Sequence, residues 1–249
     1  MTSVDDELFV LLCQDSNQVA VYSINDYQLL RHLHLPGLKP DYDNDLTSCV
    51  RHKCLYVPDG NHQCIHRYDL ARSITSKWTV PSGAQPCGLS VIPGGNLLVA
   101  CEQPNRLIEL SADNGQCVRE ITLQSDIRCP SYGVQLTTGQ YVVCDVVCNF
   151  PRVCIVDDDG RVTRSYGGQR AGVGQLMLPN RVAVDEDSQF IYVADFLNVR
   201  VLLLSPTLEL VRYVSEELSL SYPLRLHLKH TTRRLYVAQF TGNVVVIQL

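Results

Sequence analysis

Short hydrophobic runs recur along this chain at a nearly constant interval. The clearest copies are residues 55–57, 97–99, 140–142, 191–193 and 235–237, with a weaker sixth copy at residues 10–11. When Leu11, Val57, Val99, Val142, Val193 and Val237 are taken as equivalent positions, the intervals are 46, 42, 43, 51 and 44 residues. An interval of about 45 residues lies in the range expected of β-propeller blades.

The fifth copy shows what each repeat contains. It holds four short β-rich runs separated by turn residues, at 181–185, 190–195, 200–204 and 209–214. This spacing predicts a four-stranded antiparallel meander. Several runs are apolar on both alternating faces, so both sides of each small sheet must be covered, and radial packing of sheets achieves that. The sequence therefore predicts an all-β, six-bladed β-propeller in a single domain over residues 1–249.

The two ends of the chain depart from this scheme. A proline precedes the first strand of several copies, as at Pro86, Pro130, Pro179 and Pro223, where its fixed φ and missing N–H suit a loop leading into a strand. The first copy leaves no room for that strand, and the last copy stops before its fourth. We expect the first and last blades to be incomplete, which means an unusual ring closure or a piece of a longer protein.

The fifth copy also resembles a known family. The positions that carry the likeness are Gly167, Gly168, Gly172, Gly174, Gln175, Leu176, Pro179, 182–185, 191–195, Asn198 and 200–201. In order and spacing they are similar to the NHL repeat, and the other copies keep only the period, the prolines and the Tyr-Val positions. A WD40 propeller is disfavoured, because neither a Gly-His nor a Trp-Asp dipeptide occurs and Trp78 is the only tryptophan.

Composition limits the classes of partner and the cellular location that we expect. The net charge of −5 gives no global positive field to attract nucleic acid. There is no apolar run of roughly 18 residues and no signal-peptide pattern at the N-terminus, so we expect a cytoplasmic protein with no membrane contact. The 11 cysteines are odd in number and include no Cys-x-x-Cys pair, which favours reduced, buried thiols.

The resemblance implies where partners bind. NHL propellers of the TRIM and Brat type engage RNA or protein through the face formed by the loops before each first strand and after each second strand. The residues that we expect to contact a partner there are Arg106, Arg128, Tyr132, Arg152, Asn180, Arg181, Phe196, Arg200, Arg225 and Phe240. Arginines that contact phosphates and aromatic rings that stack on bases are typical of proteins that bind single-stranded RNA. Acidic residues on the same side, among them the loop at 41–45, make the face mixed, which favours protein over RNA and gives no reason to expect DNA.

Catalysis and metal binding are disfavoured. The seven histidines are not expected to converge, so we predict no metal, no cofactor and no catalytic residue. Cys144 and Cys148 lack a matching second pair. The residue that ends each second strand is taken as Cys13, Asp59, Cys101, Cys144, Asp195 or Gln239. A ring of catalytic carboxylates would not alternate with thiols, so Asp59 and Asp195 are predicted to accept backbone hydrogen bonds at the following turn.

These observations predict a non-enzymatic recognition module. The resemblance implies the C-terminal domain of a TRIM-like protein, in which a RING elsewhere transfers ubiquitin and the propeller selects the substrate. Two alternatives remain: RNA binding through the same face, and a metal-dependent lyase or lactonase-type propeller with its site near His227. No feature of the sequence indicates an oligomeric state.

Overall fold

The strands of this chain form six small antiparallel sheets. The computed structural model describes residues 1–12, 18–38, 45–81, 83–147, 150–168, 175–214 and 219–249. Within these ranges every sheet joins strands that are consecutive along the chain; five sheets have four strands and the last has three. The only helical elements described are the 3₁₀ turns Phe196–Asn198 and His230–Thr232. The fold is thus the predicted all-β, six-bladed β-propeller.

Blades one to three belong to a compact unit that spans Met1–Glu120. Blade one contains β1 (Thr2–Val4), β2 (Glu7–Leu11), β3 (Gln18–Ser23) and β4 (Leu29–His34). Blade two contains β5 (Thr47–Cys49), β6 (Cys54–Asp59), β7 (Cys64–Asp69) and β8 (Ile74–Thr79). Blade three contains β9 (Gln85–Val91), β10 (Leu97–Glu102), β11 (Arg106–Leu110) and β12 (Cys117–Thr122), whose last two residues pass the unit boundary.

Blades four to six belong to a second unit, Ile121–Leu249. Blade four contains β13 (Pro130–Gln135), β14 (Tyr141–Asp145), β15 (Arg152–Val156) and β16 (Val162–Gly167). Blade five contains β17 (Pro179–Val184), β18 (Ile191–Asp195), β19 (Arg200–Leu204) and β20 (Leu210–Tyr213). Blade six contains β21 (Pro223–Lys229), β22 (Arg234–Gln239) and β23 (Val244–Gln248).

The prediction that the first blade lacks its first strand is wrong. Thr2–Val4 pairs with the start of β2, from Thr2 opposite Phe9 to Val4 opposite Glu7. The turn between the strands needs only two residues, and Asp5 adopts a left-handed φ of 50° there. A three-residue strand is too short to show a period of two, so the sequence pattern did not reveal it. The three-stranded last blade is confirmed.

Blade five shows why its second and third strands are apolar on both faces. Ile191, Val193 and Leu202 pack with the core of blade four. Tyr192, Ala194 and Val201, which alternate with them, pack with the core of blade six. Because successive side chains of a strand point to opposite faces, one blade completes two cores.

The cysteines are free thiols where the structure describes them. Burial raises the pKa of Cys144 and of Cys154 to about 12, so both stay neutral. Among the described residues there is no helix of the length and apolarity needed to cross a bilayer. Several positions used in the sequence argument lie outside the described residues: Cys13, residues 41–44, Cys148, Gly172 and Gly174.

Candidate functional site

A buried polar side chain ends the second strand of each blade in the second unit. Asp145, Asp195 and Gln239 are 1%, 0% and 8% exposed, and each pairs with the proline that begins its blade. Their side-chain oxygens accept backbone N–H groups from the loop before that proline: Cys129 N at 3.0 Å, Met177 N at 2.7 Å and Ser221 N. Each side chain therefore fixes the loop that precedes its own blade.

The residue after each of these side chains strengthens the link. Val146 N donates to Cys129 O at 3.0 Å, and Phe196 N donates to Leu178 O at 3.1 Å. Phe240 N donates to Tyr222 O at 3.0 Å. The loop before the first strand and the loop after the second strand are thus hydrogen-bonded to each other in all three blades. This confirms, blade by blade, that these two kinds of loop lie together.

The sequence placed one of these positions incorrectly. The repeat interval makes Cys144 the equivalent of Asp195, but Asp145 pairs with Pro130 as Asp195 pairs with Pro179. The two Tyr-Val dipeptides used for the alignment differ by one position within their strands. The predicted turn contact holds for Asp59, which accepts His62 N at 3.1 Å, whereas Asp195 accepts Met177 N from the other loop.

Three of the predicted arginines are bound to carboxylates of this chain. Arg152 and Arg200 begin their third strands directly opposite Asp145 and Asp195, with Nε to Oδ2 distances of 3.2 and 2.9 Å. Arg106, in the first unit, pairs with Glu120. Arg152 also reaches Asp126 at 3.1 Å, and Arg200 donates to Gln175 O at 2.6 Å. Arg152 and Arg200 therefore stabilise Asp145 and Asp195, the two carboxylates that hold the loops before blades four and five.

The other polar candidates lie on or before the first strands of blades four to six. Each strand bulges after its proline, which puts Tyr132, Arg181 and Arg225 at equivalent positions. Arg181 is 3% exposed and Arg225 is 6% exposed. The Arg181 guanidinium donates to both oxygens of Asn180 and lies 5.0 Å from the centre of the Tyr132 ring. Arg128, by contrast, is exposed.

Exposed apolar side chains gather on the paired loops of blades five and six. We call them the apolar loop surface, defined by Met177, Phe196, Leu197, Tyr222 and Phe240. The Phe196 ring lies 5.3 Å from that of Tyr222 and 5.9 Å from that of Phe240. The other four residues are 43–48% exposed. The sequence identified Phe196 and Phe240 but missed the remaining three; the position of Met177 and Tyr222 just before Pro179 and Pro223 could have indicated those two.

The apolar loop surface is held by backbone that ordinary residues seldom adopt. Leu178 and Tyr222, each just before a proline, have φ values of 127° and 51°. Such conformations cost about 1–3 kcal/mol and persist only where the surroundings impose them. The hydrogen bonds from Phe196 N and Phe240 N to these two residues supply that restraint.

A thiol, an imidazole and a carboxylate also line up in the first unit. Cys49 Sγ lies 3.1 Å from His52 Nδ1, and His52 Nε2 lies 2.8 Å from Asp113 Oδ1. This is the order of groups found in cysteine hydrolases. Cys49, however, is only 2% exposed, so its sulfur is not presented to solvent. The arrangement fixes the turn after β5.

The expectation that the histidines do not converge is wrong for one pair. His62 Nδ1 lies 2.8 Å from Asp59 Oδ2, and His66 Nε2 lies 3.1 Å from the same oxygen. Hydrogen bonds from both imidazoles outweigh the effect of burial and lower the pKa of Asp59. His227, the residue on which the lyase alternative depends, is not part of this group; burial lowers its pKa to about 3.

Comparisons with known proteins support the fold. No family model and no curated protein sequence matches the chain. A chain of the nidogen/laminin complex is 18% identical, with a TM-score of 0.73 over 98% of this chain and 89% of that one. A Bacteroides caccae protein of unknown function is 13% identical, with a TM-score of 0.73 over 98% and 90%. Virginiamycin B lyase from Staphylococcus aureus is 13% identical, with a TM-score of 0.64 over 99% and 83%.

These neighbours differ in what they do, since their names include an enzyme and a protein complex. At such low identity they show a shared architecture alone, and the specific likeness to NHL propellers stays a prediction. By fold, this chain is a six-bladed β-propeller.

Proposed function

We propose that this chain is a non-enzymatic recognition module that binds a protein through the apolar loop surface. The observation that carries the proposal is the cluster of Phe196, Tyr222 and Phe240 on two hydrogen-bonded loop pairs. Exposed apolar clusters of this kind mark interaction sites, and aromatic anchors contribute much of the binding energy at protein interfaces.

The rigidity of the loops supports this proposal. Met177 N is bonded to the buried Asp195 carboxylate, whose other oxygen accepts from Asn198 at 2.7 Å and Arg200 at 2.9 Å. A surface held in place before binding loses little conformational freedom when a partner arrives. The aromatic rings are therefore presented in a fixed arrangement.

RNA is the second candidate, and the state of the arginines disfavours it. Arg106, Arg152 and Arg200 already face carboxylates, and Arg181 and Arg225 are more than nine-tenths buried. A phosphate would have to compete with these contacts. Only Arg128 among the six is exposed.

The resemblance of residues 167–201 to the NHL repeat extends the proposal. The partner would then be a ubiquitination substrate, bound in the cytoplasm and delivered to a RING on another part of the same protein. Ligase activity would belong to that RING and not to the propeller.

A site-specific photo-crosslinker tests the proposal. A photoreactive phenylalanine analogue at position 240 should crosslink a discrete protein in cells, and Phe196→Ser should abolish that product. Val211, which is 50% exposed on β20, provides the matched control position. Crosslinks that form equally from position 211, or that carry RNA instead of protein, would overturn it.

A further inference from the structure

We propose that Asp59, His62, Cys64 and His66 form a binding site for Zn²⁺ in the second blade. This site lies outside the apolar loop surface, and the proposed function does not depend on it. Zn²⁺ in proteins is bound by Cys sulfur, His nitrogen and carboxylate oxygen, almost always by four ligands in structural sites. These four side chains offer one oxygen, one sulfur and two nitrogens.

One β-hairpin supplies all four donors. Asp59 is the last residue of β6 and pairs directly with Cys64, the first residue of β7. His66 follows Cys64 by two positions, so both side chains lie on the same face of the sheet. His62 lies in the connecting turn, where its backbone N–H is bonded to Asp59. The hydrogen bonds of the hairpin thus fix the site before any ion binds.

The distances are close to those that a zinc ion imposes. Asp59 Oδ2 lies 2.8 Å from His62 Nδ1 and 3.1 Å from His66 Nε2. Donor atoms of Asp59, Cys64 and His66 lie within 4.8 Å of one another. Zinc bonds of about 2.0–2.3 Å in a tetrahedron require donor separations of roughly 3.3–3.8 Å. Small side-chain rotations are enough to reach them.

Burial and charge also suit a divalent cation. Asp59, Cys64 and His66 are 4%, 5% and 3% exposed, an unusual density of polar groups for an interior. His62 is half exposed, with 51% of its side chain accessible, and leaves the ion a route from solvent. A carboxylate and a thiolate together balance the charge of Zn²⁺. Lys77 on β8 lies opposite His66 in the sheet. It is a nearby positive charge, and Zn²⁺ must bind despite its repulsion.

The opposite end of the same hairpin provides an internal control. Cys54 pairs with Asp69 there, so a thiol and a carboxylate again lie side by side. Cys54 Sγ donates to the backbone oxygen of His52, and Asp69 Oδ1 accepts the N–H groups of Ala71 and Arg72. Among the described residues, only Asp59, Cys64 and His66 form a group of three metal-ligating side chains. Cys54→Ser therefore removes a buried thiol from the same two strands without touching the proposed site.

The test is metal titration of the whole 249-residue chain, reduced and stripped with a chelator. We expect one Zn²⁺ per chain by elemental analysis. Co²⁺ in its place should give a thiolate-to-cobalt charge-transfer band and the strong visible bands of tetrahedral coordination. Binding of no ion, or a cobalt spectrum without the thiolate band, would overturn the proposal.

The variants separate this site from the other thiols. Cys64→Ser should remove the charge-transfer band, and His66→Gln should weaken Zn²⁺ binding by at least the roughly 10–100-fold seen when a group supporting a ligand is lost. His62→Ala alters a half-exposed turn residue and keeps the backbone N–H bond to Asp59, so we expect this variant to fold and its weaker Zn²⁺ binding to be measurable if the buried variants unfold. Cys54→Ser should bind as the unaltered chain does. Equal loss in Cys54→Ser, or unchanged affinity in His62→Ala, would contradict the assignment.

Discussion

At the scale of the residue, two glycines with the same backbone conformation have different surroundings. Gly139 and Gly160 close turns between strands and have φ values of 88° and 78°. A Cβ on Gly139 would meet nothing within 4 Å, whereas a Cβ on Gly160 would overlap the carbonyl of Thr122. The same substitution therefore separates conformational strain from close packing.

We expect Gly139→Ala to lower the free energy of unfolding by about 1–2 kcal/mol, the cost of a left-handed side chain. Gly160→Ala should cost at least about 3 kcal/mol, since backbone must also move. Urea denaturation of the two variants measures the difference. Equal losses would show that the turn at Gly160 relaxes freely.

A second residue-scale prediction concerns acid stability. Burial alone would raise the pKa of Asp185. Hydrogen bonds from Arg233 and from the Asp187 amide have a larger, opposite effect, and the pKa lies below the ordinary value of 3.8. A carboxyl with a lowered pKa stabilises the fold above its unfolded pKa, and that contribution disappears as the pH falls through the folded value.

Arg233→Gln should therefore destabilise the protein at pH 7, and this difference should shrink as the pH falls from about 4 through the lowered pKa of Asp185. Denaturation curves across this range measure it. Arg161→Gln is the matched control, because the Arg161–Asp159 pair is about 70% exposed on both sides and exposed pairs contribute little. A difference that persists at low pH would exclude Asp185 as its source.

At the scale of the element, each blade of the second unit uses one side chain to join two loops. Asp195 accepts from Met177, Asn198 and Arg200, whereas Gln239 accepts from Ser221 N. The Asp195 carboxylate therefore accepts hydrogen bonds from more groups of its blade than the Gln239 amide does. This comparison shows what the charge adds to a role that a neutral side chain can also fill.

Asp195→Ala should cost about 3–5 kcal/mol, because it leaves Arg200 without its carboxylate in a largely buried position. Gln239→Ala should cost only about 1–3 kcal/mol, the penalty for one unsatisfied buried donor. Chemical denaturation measures both, and partner crosslinking from position 240 should fall in Asp195→Ala as the loop at Met177 loosens. Equal costs would mean that the ion pair adds nothing.

At the scale of the whole molecule, the charge balance bears on the choice between protein and RNA. The chain carries a net charge of −5, and its candidate arginines mostly contact carboxylates or are buried. Affinity for phosphate backbones depends on releasing counterions with free basic groups. A protein partner held by apolar contacts carries no such dependence.

We expect random single-stranded RNA to bind no tighter than the roughly 10⁻⁴–10⁻⁶ M typical of non-specific contacts at physiological salt. Arg128→Glu should change this little, and crosslinking from position 240 should be nearly independent of salt. Fluorescence anisotropy at low and moderate salt measures the RNA affinity. Tight binding that falls steeply with salt would favour the RNA alternative.

The sequence predicted much of the scaffold and less of the site. Its period indicated six blades, and its prolines marked where first strands begin. It found Phe196 and Phe240 but not Tyr222, whose exposure depends on a left-handed backbone before Pro223. It also aligned Tyr141 with Tyr192, although Tyr141 lies four residues before Asp145 and Ile191 lies four before Asp195. Hydrogen-bond register decides this point, and hydrophobic triplets do not encode it.

The sequence by itself determined that the strands are short and antiparallel, through the spacing of runs and turns. It also determined that the strands are covered on both faces, because a run that is apolar at successive positions must remove both of its sides from water. Only the tertiary structure decided which polar groups meet. Strand pairing placed Asp59 against Cys64 and brought two histidines to one carboxylate oxygen. It also joined loops more than 15 residues apart into one aromatic cluster. Contacts of this kind depend on strand register and turn geometry. The same hydrophobic pattern is compatible with more than one register, so the pattern does not specify which polar groups meet.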